Sequence, residues 1–423
     1  MASVTGELQA MLGDAVAARQ RGEAGEELRL LEAALALAPD SPHALNARGM
    51  RALADGDNER ARACFAKAAA ADPKEPALWL NVATACRALR DDEGEEEALE
   101  HALSLDRLLF MGQLRMAELN ERRGRIARAA QGWAAIVQMA RNVADPPAGL
   151  AAALKRGQAF LAAHGAELSR DLDAALGADL AALGAAGRRF AACVDHTLGR
   201  RRIYHNECAG IHYPFLPADE FFDRAHFPWL PELEAKTPAI AREAEALLAG
   251  GGEAIRPYVR QDPGTPENKW SPLDNSLDWS ACFLWEYGAR NDAVCDLCPE
   301  TAAALEAVPQ KNSVPGKAPS AFFSILKPGA HIPPHTGVTN TRAIIHLPLV
   351  VPKGCTFRVG GETRPWEVGH ALAFDDTIEH EAWNPTPHVR IVLIFDVWNP
   401  HLTAEEQDLL RRFFEVTGRH EGR

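Results

Sequence analysis

The apolar and polar positions of this chain follow two different rhythms. From residue 8 to residue 141 the pattern reads as paired helices, and it repeats. Matching the chain against itself gives a period of 34: Gly22, Gly56 and Gly124 fall in step, with Arg90 at the intervening place, as do Pro39 with Pro73 and Asp72 with Asp106. Small residues recur where two helices must touch (Gly49, Ala83, Ala117), and bulky ones recur at the next contact (Phe65, Leu99, Trp133). The predicted unit is a helix, a turn with Gly, a second helix and an Asp-Pro-type break, and about four units fit. A helix pair cannot bury its own apolar face, so such units stack into a solenoid.

After a two-proline break at residues 142–149, residues 150–185 are Ala/Leu-rich and read as one more helix pair, interrupted at His164-Gly165. From Arg201 the chain becomes rich in aromatics and Pro. Residues 237–250 predict a short amphipathic helix ended by Gly250-Gly251-Gly252, and residues 261–278 a long polar loop placed to fold over the mouth of the domain that follows. There the rhythm becomes short β-branched runs between Pro-Gly, Pro-Lys-Gly and Gly-Gly turns. Strands are predicted at 279–287, 320–327, 341–350, 354–359, 363–367, 370–374 and 388–397, with a helix over 291–309. Thr403 and Glu406 form a capping box for a closing helix that Gly418 ends. Short strands in this number predict a double-stranded β-helix, the cupin-like jelly roll. The expected architecture is therefore α+β and multidomain: helical repeats over 1–141, a helical linker over 142–199, and the β-domain over 200–423.

Composition narrows the function. The chain has 423 residues, 47% hydrophobic and 24% charged, with a formal net charge of -13. An acidic chain without a basic block is a poor partner for nucleic acid. The start, MASVTGELQA, has neither the basic nor the apolar region of a signal peptide, and no charge-free apolar run of about 18 residues argues for membrane insertion. A cytoplasmic location is the expectation. The eight cysteines are scattered, and Cys295 and Cys298 read as buried thiols rather than a metal or redox pair.

The candidate chemistry gathers at strand ends. His335 follows two prolines and precedes Thr336-Gly337; His380 ends DDTIEH; Arg390 sits inside the apolar strand HVRIVLIF. Two imidazoles at facing strand ends suit a ferrous ion with open positions. A guanidinium inside an apolar strand is costly unless an anion meets it, so Arg390 asks for a carboxylate. His205, His212 and His226 match no ligand spacing and read as structural or substrate-rim residues. Asp375 and Asp376 read as solvated or loop-supporting residues, or as ligands in a cupin-like binder.

Two resemblances add to this. The N-terminal repeats resemble the tetratricopeptide family, best over Pro42 to Glu75; in the next repeat Glu95 stands at the usual small position. The resemblance implies a concave surface that holds a peptide or a partner helix. WSACFLW, FSILKPGAHIPPHTG, TRAIIHLPL, FDDTIEHEAW and VRIVLIFDVWNP together resemble the aspartyl/asparaginyl β-hydroxylase family over roughly residues 200–400. That resemblance implies an enzyme, a dioxygenase using Fe(II), 2-oxoglutarate and O2. It implies His335 and His380 as the metal ligands, Gly337 in place of a third carboxylate, and Arg390 against the distal carboxylate of 2-oxoglutarate. It also implies Trp285, Ser324, Arg342 and His346 around the cosubstrate, and a peptidyl Asp or Asn as substrate. Ile344 departs from a second arginine of the animal member. The competing readings are the same chemistry on a small molecule, free amino acid or lipid-linked acyl group, a repeat-containing adaptor, and a non-oxidative metal-dependent cupin.

Overall fold

A computed structural model describes residues 4–250 and 254–420, so that Gly251 and Gly252 of the expected helix stop lie outside it. The chain divides into two compact units, Met1–Arg188 and Arg189–Arg423.

The first unit is wholly helical. Eight helices form four antiparallel pairs: α1 (Val4–Gln20), α2 (Ala24–Leu37), α3 (Pro42–Ala54), α4 (Asn58–Ala71), α5 (Pro76–Leu89), α6 (Asp92–Leu105), α7 (Phe110–Arg122) and α8 (Ile126–Met139). The 34-residue register is physical. Ala83, Ala117, Phe65, Leu99 and Trp133 are all fully buried. Gly22, Gly56 and Gly124 turn the chain with φ of +77°, +79° and +68°, and Arg90 takes the same left-handed conformation at φ 61°. Glu95 is buried too, paired with Arg122 of the next repeat. The predicted pair over 150–185 is instead one helix, α9 (Ala148–Leu183). Gly165 costs a helix only about 1 kcal/mol, too little to break it, and Leu154, Phe160 and Leu161 pack beside Trp133 to close the array.

The second unit opens with α10 (Arg188–Thr197), an extended segment, α11 (Leu230–Glu234) and α12 (Thr237–Ala249). The strands are β1 (Arg256–Pro257), β2 (Trp279–Glu286), β3 (Ala289–Arg290), β4 (Ala321–Leu326), β5 (His331–His335), β6 (Arg342–Val350), β7 (Thr356–Val359), β8 (Glu362–Pro365), β9 (Leu372–Phe374), β10 (His380–Trp383) and β11 (Arg390–Trp398). All pairings are antiparallel. The larger sheet runs β1-β2-β4-β11-β6-β9 with β3 beside β2, and the smaller runs β5-β10-β7-β8. The helix predicted over 291–309 is two, α13 (Asp292–Leu297) and α14 (Pro299–Glu306), because Pro299 lacks the N–H to continue the first. The closing helix α15 (Ala404–His420) runs past Gly418, and its capping box is present: Thr403 N–H donates to Glu406 and Glu406 N–H to the Thr403 hydroxyl.

Alternation along the large sheet sorts its side chains. Cys282, Phe323, Leu393, Phe395, Ile345 and Leu347 face outward into a core shared with α12, α13 and α14. The opposite face carries Trp279, Leu326, Ile344 and Val392, which pack against Ile332, Phe357, Val359 and Ala382 of the small sheet. The site lies between the sheets.

Candidate active site

The two sheets enclose a cavity of about 570 Å³. Strand pairing sets its central feature: β5 and β10 are neighbours with His335 and His380 in register, and the ring centroids are 4.0 Å apart. Neither strand was predicted. HIPPH contains two prolines, which argue against a strand interior, but β5 is the edge of its sheet, where a missing N–H costs nothing.

Each imidazole is tied by Nδ1 to a carbonyl two residues earlier, His335 to Pro333 O at 2.8 Å and His380 to Ile378 O at 3.0 Å. A carbonyl only accepts, so Nδ1 carries the proton and Nε2 keeps its lone pair. Burial keeps both rings neutral, lowering His335 to about 3, helped by His380, and His380 to about 4. Neutral imidazoles with free Nε2 atoms and locked Nδ1–H groups are the donor set a borderline metal ion takes. Among the described residues no three His, Cys, Asp or Glu side chains converge as a metal cluster. The pair could offer a metal ion two protein ligands.

Gly337 accounts for the lack of a third. A Cβ there would lie 2.2 Å from the carboxylate carbon of Asp376. Asp376 fills that space, held by Arg342 Nη2 at 2.7 Å. Burial alone would lower Arg342, but Asp376 and Asp396 push it up, so it stays charged. Asp375 turns away, accepting from Thr377 and from Asn206 Nδ2; burial raises it to about 6.

At the floor lies Arg390, 1% exposed. Its Nη1 donates to the Ser324 carbonyl and hydroxyl at 3.2 and 3.3 Å, its guanidinium lies 4.9 Å over Trp366, and its Nε has no partner. Burial without an acidic partner lowers it to about 9. His346 stands nearby with Nδ1 unpartnered, held neutral by burial and by Arg390. A desolvated guanidinium beside a hydroxyl is a receptor for a carboxylate.

Arg342, Ile344 and His346 alternate on β6, and all three line the cavity, as do Ser324 and Arg390. Trp285 does not. Trp279, Ala281 and Phe283 alternate inward, but a bulge between Phe283 and Trp285 places Trp285 opposite Ala321, among the outward-facing residues. The tryptophan of β2 that lines the cavity is Trp279, whose Nε1 donates to the Ser324 hydroxyl at 3.1 Å. Its start-of-strand position and inward parity were legible; the bulge was not. Trp366 and Phe357 were also missed, because nothing local marks an aromatic as a cavity wall. His205, His212 and His226 are not among the lining residues. The polar loop over 261–278 reaches the mouth: Lys269 Nζ donates to Pro334 O at 2.7 Å, and Trp270 lies 5.1 Å edge-on to His335.

Residues 234–400 match the family model described as Aspartyl/Asparaginyl beta-hydroxylase. Over those residues the chain is similar to the aspartyl/asparaginyl β-hydroxylase family. It is 43% identical over 141 residues to the human aspartyl/asparaginyl beta-hydroxylase, covering 32% of this chain and 18% of that one. It is 34% identical over 197 residues to the ornithine lipid ester-linked acyl 2-hydroxylase of Rhizobium tropici, covering 46% of this chain and 66% of that one. The chain thus matches about a fifth of the human relative's length and just under two thirds of the rhizobial one. Among solved structures, MamA from Desulfovibrio magneticus is similar at 17% identity and a TM-score of 0.31, over 33% of this chain and 78% of that one. No helix among the described residues is long and apolar enough to cross a membrane.

Proposed function

We propose that residues 200–423 form a double-stranded β-helix that hydroxylates an unactivated C–H with Fe(II), 2-oxoglutarate and O2. The observation that carries this is the pairing of two neutral, Nδ1-locked imidazoles, 4.0 Å apart, with a buried guanidinium that has no acidic partner. When bound, the ferrous ion with 2-oxoglutarate and O2 supplies the oxidising power. His335 and His380 would hold the metal. Arg390 would bind the distal carboxylate of 2-oxoglutarate, with Ser324 as second donor and Trp279 fixing the Ser324 hydroxyl. His346 would offer a neutral ring to the cosubstrate. Phe357, Trp366 and Phe374 keep the floor dry, which strengthens each polar contact there.

The substrate reading follows the family: the β-carbon of an Asp or Asn in a peptide or protein, with the helical repeats holding that polypeptide. A second reading, the same chemistry on an acyl chain or other small molecule, is favoured by Ile344. It is 8% exposed and packed with apolar residues in the cavity wall where the animal member has an arginine. The test is to supply the full-length chain with Fe(II), 2-oxoglutarate and air and to measure succinate with Asp/Asn peptides and with acyl substrates. Succinate stimulated by one class selects between the readings. None across both classes, with iron bound, favours the adaptor.

A further inference from the structure

Residues 200–220 form a long segment without regular structure, and they precede the matched residues 234–400. Loops of this length in compact domains commonly serve function. The backbone hydrogen bonds of this one go to two places. Glu207 N–H donates to Thr377 O at 2.8 Å, and Asn206 Nδ2 donates to Asp375 Oδ2 at 2.7 Å and to the Thr377 hydroxyl at 2.9 Å. Three residues on, Ala209 N–H donates to Gly337 O at 3.1 Å and Gly210 N–H to Val338 O at 2.8 Å. Tyr213 then exchanges two bonds with the Asn340 side chain, at 2.8 and 2.9 Å, and its hydroxyl donates to Glu406 at 2.9 Å.

The first place is the loop that leads into His380; the second is the loop that leaves His335. Between them runs one direct bond, Gly337 N–H to Asp376 O at 2.6 Å. Strand pairing aligns the two histidines at their Cα atoms, and beyond them the loops are held by that bond and by Arg342, which reaches Asp376 at 2.7 Å. The segment crosses both. Its approach is close: a Cβ on Gly210 would lie 2.9 Å from Val338 Cγ1 and 3.2 Å from Val338 O.

We infer that residues 206–213 are a strap that positions His335 and His380 for the metal, with Asn206 as a positioning residue that touches neither ligand. The inference rests on the reading of the two histidines as metal ligands. Binding sites tolerate displacements of only about 0.5 Å, and removing an outer partner of a metal ligand typically weakens the metal by about 10- to 100-fold. A strap that served only stability would lower the melting temperature and leave the metal alone.

The test uses the full-length chain stripped of metal and titrated with Co(II), whose visible bands report ligand geometry. Asn206→Ala is expected to bind Co(II) a few-fold more weakly, less than the loss of about tenfold or more on removing a direct partner of a ligand, with shifted bands, while its circular dichroism stays that of the parent. Gly210→Val, which presses on the second loop, is expected to do the same. Because either variant could fold poorly, the unaltered chain supplies a second readout: coupling is reciprocal, so Co(II) should slow hydrogen exchange at the amides of Glu207, Ala209 and Gly210. Parent-like Co(II) affinity and spectrum in Asn206→Ala, or exchange at those amides that ignores Co(II), overturns the strap while leaving the two-histidine site standing. A parent chain that binds no Co(II) removes the site itself, and the strap with it.

Discussion

His335 and His380 are neutral for a reason that reaches metal binding. An imidazole with the ordinary value of 6.5 loses metal as protons compete for Nε2 below that pH. Here burial lowers the two rings to about 3 and about 4, so proton competition starts later. Metal affinity of the isolated chain is expected to stay flat from pH 8 to about pH 5, provided the fold persists; a tenfold fall between pH 7 and pH 6 would contradict the assigned environment. The floor makes a second residue-scale claim. Arg390→Ala should leave metal affinity within about twofold while weakening 2-oxoglutarate by about 100-fold, the scale of a charge-assisted bidentate pair. Trp279→Phe, which frees the Ser324 hydroxyl, should weaken it by a few-fold, and Trp285→Phe should change nothing. Isothermal titration of the Mn(II)-loaded variants checks all three. An effect at Trp285 with none at Trp279 would reverse the account of the bulge.

At the scale of elements, the repeats follow the sequence pattern closely because the period is enforced by contact: a small residue at 83 or 117 and a bulky one at 99 or 133 have no freedom once helices stack. The departures are where energy is stored. Arg90 takes a left-handed turn that three glycines take elsewhere, a conformation that costs a side chain about 1 kcal/mol. Arg90→Gly should raise the urea midpoint, by roughly 0.5–1 kcal/mol in stability; a lowered midpoint would show that the arginine side chain holds the turn. Glu95 replaces the expected small residue and is buried against Arg122, whose side chain is 37% exposed. Arg122→Ala leaves that carboxylate without its partner and should destabilise by on the order of 2 kcal/mol, less than a fully buried pair would lose. Glu95→Ala restores the small residue and should cost less, and the double variant should recover part of the loss. Additive losses would mean that the pair does not interact. In the β-domain the strands rich in β-branched residues were legible, whereas β5 and β10 were not. One is proline-rich and spared only by its edge position; the other is four residues long and begins on the histidine that matters. The local pattern thus fails at the strands that carry the proposed metal.

At the scale of the whole molecule, the sequence changes rhythm near the division into two compact units after Arg188, although residues 148–183 are one continuous helix and not the expected pair. The histidine pair and the arginine were visible as residue types at strand ends. The cavity around them was not, because its walls come from both sheets and from residues as far apart as Arg256 and Asp396. The strap is in the same position: a polar, aromatic stretch with no periodicity gains meaning only from the loops it crosses. The central claim is that two imidazoles and one guanidinium together make a receptor for a metal ion and a dicarboxylate. Equilibrium binding of 2-oxoglutarate to the full-length chain, with and without Mn(II), tests it most directly. The expected result is tight binding that requires the metal, is lost in His380→Ala and survives weakly in Arg390→Ala. Binding that ignores the metal, or that is unchanged in both variants, would contradict it.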